Sequence, residues 1–161
     1  MENGLSITRV FDAPRSAVWN AFTQPEHLEQ WWGPKGFKIE VRRLELRPGG
    51  VFHYSMRMPN GAIMWGRFTY REIEAPERLV FTNSFSDESG GLTRNPWMPV
   101  WPLEALTTVI FSESEGKTTI TLTSVPVEAT EEERQNFLGQ IDSMKNGFGG
   151  TFDQLAEYLA Q

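Results

Sequence analysis

Aromatic and thioether side chains that recur at every second position are the residues with most chemistry to offer, and that chemistry is the enclosure of a small apolar molecule. In 51–58, Phe52, Tyr54, Met56 and Met58 alternate with Val51, His53, Ser55 and Arg57. On a strand the first set shares one face, and His53 takes the other, on the solvent side. In 62–73 the set Met64, Gly66, Phe68 and Tyr70 alternates with Arg67, Thr69 and Arg71. Trp65 is thereby left on the outer face, either as a lone aromatic or as a partner contact. In 78–85, Leu79, Phe81, Asn83 and Phe85 share a side, which sets one amide among apolar neighbours. Asn83 there either orients a ligand or satisfies a strand end. A cavity walled by such side chains with few polar groups is how most small-molecule sites are built.

Five more aromatics gather near element ends: Trp31, Trp32 and Phe37 before the first long strand run, and Trp97 and Trp101 in the loop 86–102. They read equally as a plug of the mouth or as an entrance gate. Phe137, Ile141, Met144 and Phe148 on the C-terminal segment complete the set of expected ligand contacts. A filled interior is the competing outcome, since many large inward side chains can leave no usable void.

Other chemistries find little material. There is no cysteine, and the two histidines, His27 and His53, lack metal-site spacing, so neither metal nor organic cofactor is expected. Glu104, beside Trp101-Pro102, is the one carboxylate placed for acid–base work. Arg9 shares its parity with Leu5, Ile7 and Phe11; it either snorkels at the sheet edge or lines the pocket and fixes an anionic group. A formal net charge of −6 over 161 residues disfavours nucleic acid and anionic membrane as partners. The N-terminus has no positive region followed by an apolar core, and no run approaches ~18 apolar residues, so a cytoplasmic chain is expected.

The elements that would position these residues follow from pattern. Residues 5–11 read as a strand, and Pro14 opens a helix as its first residue with Asp12 or Ala13 as cap. A second short helix starts at Pro25, with Glu26 in its first turn. Six strands follow without intervening helices, at 38–46, 51–58, 62–73, 78–85, 103–112 and 118–125, which predicts an antiparallel meander. Thr130 to Glu133 is a capping box, and one apolar face runs from Phe137 to Leu159 as a single helix roughly 45 Å long. Gly147, Gly149 and Gly150 within it suggest a kink or a close backbone approach. The order predicts an α+β chain, one domain over 1–161, with a curved sheet of about seven strands wrapped round the helix.

Asp12-Ala13-Pro14-Arg15 with Val18-Trp19, Pro25-Glu26-His27-Leu28 with Trp31-Trp32-Gly33-Pro34, Gly49-Gly50-Val51-Phe52, Pro76-Glu77-Arg78-Leu79-Val80-Phe81 and Gly147-Phe148 resemble bacterial homologues of the activator of the heat-shock-protein-90 ATPase. Those proteins belong to the START-like, birch-pollen-allergen-like (SRPBCC) superfamily of helix-grip proteins. The resemblance implies a helix-grip fold with a hydrophobic cavity between sheet and C-terminal helix. Three functions are compatible with it: binding of a small hydrophobic or amphipathic ligand, a chaperone-activator-like interaction module, or a cyclase- or hydrolase-like enzyme using the same cavity. A homodimer through an edge strand also stays open.

Overall fold

A computed structural model describes residues 4–161; the leader reading falls partly on residues 1–3, outside that range. The first strand, β1 (Leu5–Phe11), is followed by helices α1 (Arg15–Thr23) and α2 (Pro25–Trp31). The strand series is β2 (Lys38–Leu44), β3 (Val51–Arg57), β4 (Ile63–Glu74), β5 (Arg78–Ser86), the two-residue β6 (Leu92–Thr93), β7 (Glu104–Ser114) and β8 (Lys117–Val127). Helices α3 (Glu131–Gly139) and α4 (Ile141–Leu159) close the chain. The strands form one antiparallel sheet in the order β1-β8-β7-β5-β4-β3-β2, with β6 paired to β5. The expected α+β helix-grip architecture is therefore the observed one. The meander accounts for every neighbour except β1, which returns to the far edge and pairs with β8 from Leu5↔Ser124 to Phe11↔Thr118.

One face of the sheet is covered by helices. Phe152 of α4 is 0% exposed and meets Phe11 edge-on at 5.9 Å and Phe22 of α1 at 6.4 Å. Trp19 and Phe22 both pack edge-on against Phe111 of β7. This end is solid core, and its burial supplies much of the driving force for the fold.

Two local expectations need correction. Pro14 is the residue before α1 rather than its first, with extended backbone and no side-chain cap; Asp12 and Ala13 do not cap the helix. The Glu113 carboxylate accepts from the Arg15 N–H at 2.7 Å instead, because a proline at the cap position has no side-chain acceptor to offer. The C-terminal helix is not single. The capping box at Thr130 and Glu133 forms, but the helix breaks at Gln140, whose φ of −105° and ψ of 11° separate α3 from α4. The break follows Gly139, and α4 runs through Gly147, Gly149 and Gly150 without one. A Cβ at any of those three would meet nothing within 4 Å, so they mark no close approach. Gly147→Ala is accordingly expected to stabilise the protein by about 0.5–1 kcal/mol, since alanine restricts the unfolded chain and fits the helix. A lowered urea midpoint would instead reveal a need for glycine at that position.

Candidate functional site

Away from the solid end, between the sheet and α3–α4, lies a pocket of about 210 Å³. Its floor is aromatic. Phe68 of β4 lies opposite Asn83 and diagonal to Phe81 of β5, within reach of an aromatic side chain, and the two rings stack at 4.0 Å and 11°. Trp32, just past α2, stands edge-on to Phe68 at 5.5 Å and tilts towards Phe148 of α4 at 6.4 Å. Tyr54 lies directly across from Gly66 in the β3–β4 register. A Cβ at Gly66 would come within 2.5 Å of the Tyr54 ring and hydroxyl, so glycine is what lets that phenol lie across the strand. Burial pushes the Tyr54 phenol up to about 12, the Trp32 indole beside it pulling slightly the other way. It is a neutral group throughout the physiological range.

One line of polar side chains crosses the wall. Asn83 of β5, Thr107 of β7 and Ser124 of β8 all face the pocket, and the Thr107 hydroxyl lies 2.6 Å from the Asn83 carbonyl oxygen and 3.1 Å from the Ser124 hydroxyl. Register explains the line: Thr107 pairs with Ser124, and Asn83 pairs with Ala105 two residues earlier on the same face. The residues lining this pocket include no Asp, Glu, His, Lys or Arg.

The loop between β6 and β7 borders the mouth. Trp101 packs on Phe137 of α3 at 5.4 Å, and Trp101, Pro102 and Leu103 all line the pocket. Arg94 fastens the loop, donating to the Trp101 carbonyl at 2.9 Å and to the Glu133 carboxylate at 2.5 Å. Asn136 donates to the Val100 carbonyl at 2.6 Å. Glu133 thus serves the helix cap and the loop together. The Thr130 N–H, followed by the Arg94 guanidinium, holds its carboxyl below its usual value of 4.5. A depressed carboxyl stabilises the native state above the unfolded value, and the contribution is lost as pH falls through the native one. We expect stability to fall on acidification below pH 4.5, and the fall to be shallower in Glu133→Gln, whose amide keeps the capping geometry without titrating. Identical pH profiles for the two proteins would remove Glu133 from the acid response.

The structure brings together ten of the sequence candidates: Trp32, Tyr54, Met56, Phe68, Phe81, Asn83, Trp101, Phe137, Met144 and Phe148 line the pocket. Five others lie elsewhere. Trp31 is core, 1% exposed, its indole N–H donating to the Ala21 carbonyl at 2.9 Å. Phe52 is fully buried behind the wall, stacked on Tyr54 at 4.6 Å. Ile141 packs against the core from the start of α4. Phe37 is half-buried in the loop before β2. Trp97 is 62% exposed, touching Phe85 edge-on at 6.1 Å. Glu104 is not among the lining residues. Arg9 reaches α4 instead of the pocket, pairing with Asp153 at 2.6 Å.

His53 does take the outer face, but it is not solvated. It is 6% exposed, stacked on Trp65 at 5.1 Å, and its Nε2 lies 3.0 Å from the Asp87 carbonyl oxygen. The turn after β5 folds back over it, held by Arg67 donating to the Gly90 carbonyl at 2.8 Å. Trp65 is half-buried between His53 and the Arg42 guanidinium. Alternation assigns a face, while a covering loop decides burial. Sequence reasoning missed Thr107 and Ser124; the available signal was a hydroxyl side chain between apolar residues of the same alternating set, Ala105 and Val109 on β7 and Leu122 and Pro126 on β8.

The sequence profile of the family described as activator of Hsp90 ATPase homolog 1-like protein matches residues 12–160. No curated protein matches the chain significantly. Among solved structures, a protein from Arthrobacter aurescens is 30% identical, with a TM-score of 0.80 over 96% of this chain and 84% of that one. Protein Ms6760 from Mycobacterium smegmatis is 27% identical, with a TM-score of 0.77 over 96% and 88%. Protein NE0264 from Nitrosomonas europaea is 28% identical, with a TM-score of 0.76 over 98% and 94%.

Proposed function

The chain belongs to the activator of Hsp90 ATPase homolog 1-like family, and from that premise we propose that it binds a small hydrophobic or amphipathic molecule between the sheet and the C-terminal helices. The observation carrying this reading is a 210 Å³ pocket with stacked aromatic walls, a short polar line and a fastened loop at its mouth. Volume narrows the class. A cavity of about 150 Å³ accepts benzene, and drug-sized ligands occupy upwards of about 300 Å³. The pocket therefore suits one ring or an equally compact group, and a two-chain lipid is too large for it. No helix among the described residues is long and apolar enough to cross a membrane.

The test is native mass spectrometry of protein purified from its own organism, followed by denaturing extraction of any adduct. A stoichiometric small-molecule adduct is expected in the wild type and absent from Ala105→Phe, whose ring would occupy the space beside Asn83. A clean apo mass, with no uptake from a metabolite extract, would overturn the reading.

A second reading, contact with a chaperone of the heat-shock-protein-90 class, is favoured by Trp97 at 62% exposed, with Val100 on the same loop and Leu92 on the adjoining β6 also exposed. Stimulation of such a chaperone's ATPase by the wild type and not by Trp97→Ser would support it; no effect of the wild type would sink it.

A further inference from the structure

We propose that the pocket is built for an electrically neutral, compact ligand that carries one carbonyl-type acceptor, received by the side-chain amide of Asn83. This rests on the pocket being a binding site, and it goes further by naming the ligand's polar group and its receptor.

Proton counting carries the argument. A threonine hydroxyl has one proton, and Thr107 has two neighbours, the Asn83 carbonyl oxygen at 2.6 Å and the Ser124 hydroxyl at 3.1 Å. A carbonyl oxygen can only accept, so Thr107 donates to Asn83 and accepts from Ser124. The chain of bonds runs in one direction across three strands, and each bond polarises the next. It ends on an amide whose oxygen is engaged and whose nitrogen carries two N–H donors, with no protein acceptor among the described residues. Asn83 lines the pocket, so those donors serve whatever occupies it.

The other polar side chains among the lining residues, the Tyr54 phenol and the Ser84 hydroxyl among them, carry no charge at ordinary pH. With no ionic side chain among the lining residues, a carboxylate or phosphate would lose hydration against apolar walls without gaining a counter-charge, which is unfavourable. A hydrocarbon would leave the Asn83 donors unpaired, which also costs free energy. A ketone, ester or amide oxygen on a single-ring body avoids both penalties and suits the volume.

Three probes of nearly equal shape test this by calorimetric or NMR titration: acetophenone, α-methylstyrene, in which a methylene replaces the carbonyl oxygen, and benzoate. The wild type is expected to bind the first two and to show no binding of benzoate at concentrations that saturate it with acetophenone. In Asn83→Leu the ratio of acetophenone to α-methylstyrene affinity should fall about tenfold, the worth of roughly one hydrogen bond. Independently of any variant, the carbonyl stretch of acetophenone bound to the wild type should lie below its frequency in hydrocarbon solvent. Binding of both neutral probes with an unchanged ratio, or with a hydrocarbon-like stretch, overturns the acceptor assignment while leaving the pocket reading standing. Preferred binding of benzoate overturns neutrality. Failure of every probe to bind overturns this inference together with the function beneath it.

Discussion

Phe152→Ala is expected to remove about 3–5 kcal/mol of stability, the usual cost of emptying a fully buried phenylalanine site. Its ring has no exposed area and touches elements distant in sequence: Phe11 on β1, Phe22 on α1 and Phe148 one turn earlier on α4. These neighbours are themselves large and anchored on different elements, so they cannot collapse into the space. A domain of this size is stable by only about 5–15 kcal/mol, and the variant should be close to unfolding at 37 °C. Urea denaturation with an unchanged slope is the measurement. Phe148→Ala offers the comparison, since its ring is half-buried and borders space that is already open; a loss in Phe152→Ala no larger than in Phe148→Ala would contradict this placement of the core.

The second large effect is expected at a residue with no side chain. Gly66→Ala would place a methyl within 2.5 Å of the Tyr54 ring and hydroxyl. The ring cannot retreat towards Phe52, on which it is already stacked at 4.6 Å, and the open direction is the pocket. Overpacking of this kind costs about 1–3 kcal/mol, and the displaced ring would fill ligand space. Stability and probe binding should therefore fall together. The double variant Gly66→Ala/Tyr54→Leu should recover most of the stability loss assigned to Gly66→Ala, because residues in contact are coupled. Additive losses would show that glycine is needed there for a reason other than the tyrosine.

Tyr54 and Gly66 also show what pattern reading can reach. Alternation alone places both inward, and both are inward, because the two-residue period of a strand is a local property of the backbone. Their direct pairing depends on the β3–β4 register, which the sequence constrains only through the turn at Pro59-Asn60-Gly61. The tryptophans divide the same way. Trp31 and Trp32 are adjacent in sequence, yet one donates to a carbonyl inside the core and the other edges the pocket. A helix ends between them, and the change of backbone direction sends their rings to different places.

The single apolar face of the C-terminal segment predicted one helix; the chain makes two, with the turn at Gln140 letting α3 lean towards the loop that Arg94 fastens to it. Gly147, Gly149 and Gly150 suggest a kink or a close backbone approach, whereas the break follows Gly139. Three or four apolar residues at helical spacing describe either arrangement equally well, since period says nothing about a single residue leaving the helical region.

By itself the sequence determined the order of the long strands and of the helical segments, though neither the break at Gln140 nor the short β6, and it determined which strand faces turn inward, the capping box at Thr130 and Glu133, and the family likeness written in its tryptophan and proline motifs. All of these depend on residues close together in the chain. The tertiary structure alone decided how deep each inward residue lies, that His53 is buried by a turn 34 residues away, and that Asn83, Thr107 and Ser124, separated by 24 and 17 residues, form one line of hydrogen bonds. The physical reason is that alternation fixes the side of a sheet on which a residue stands. Depth and cross-strand partners are set by register, curvature and covering loops, and those belong to the whole fold.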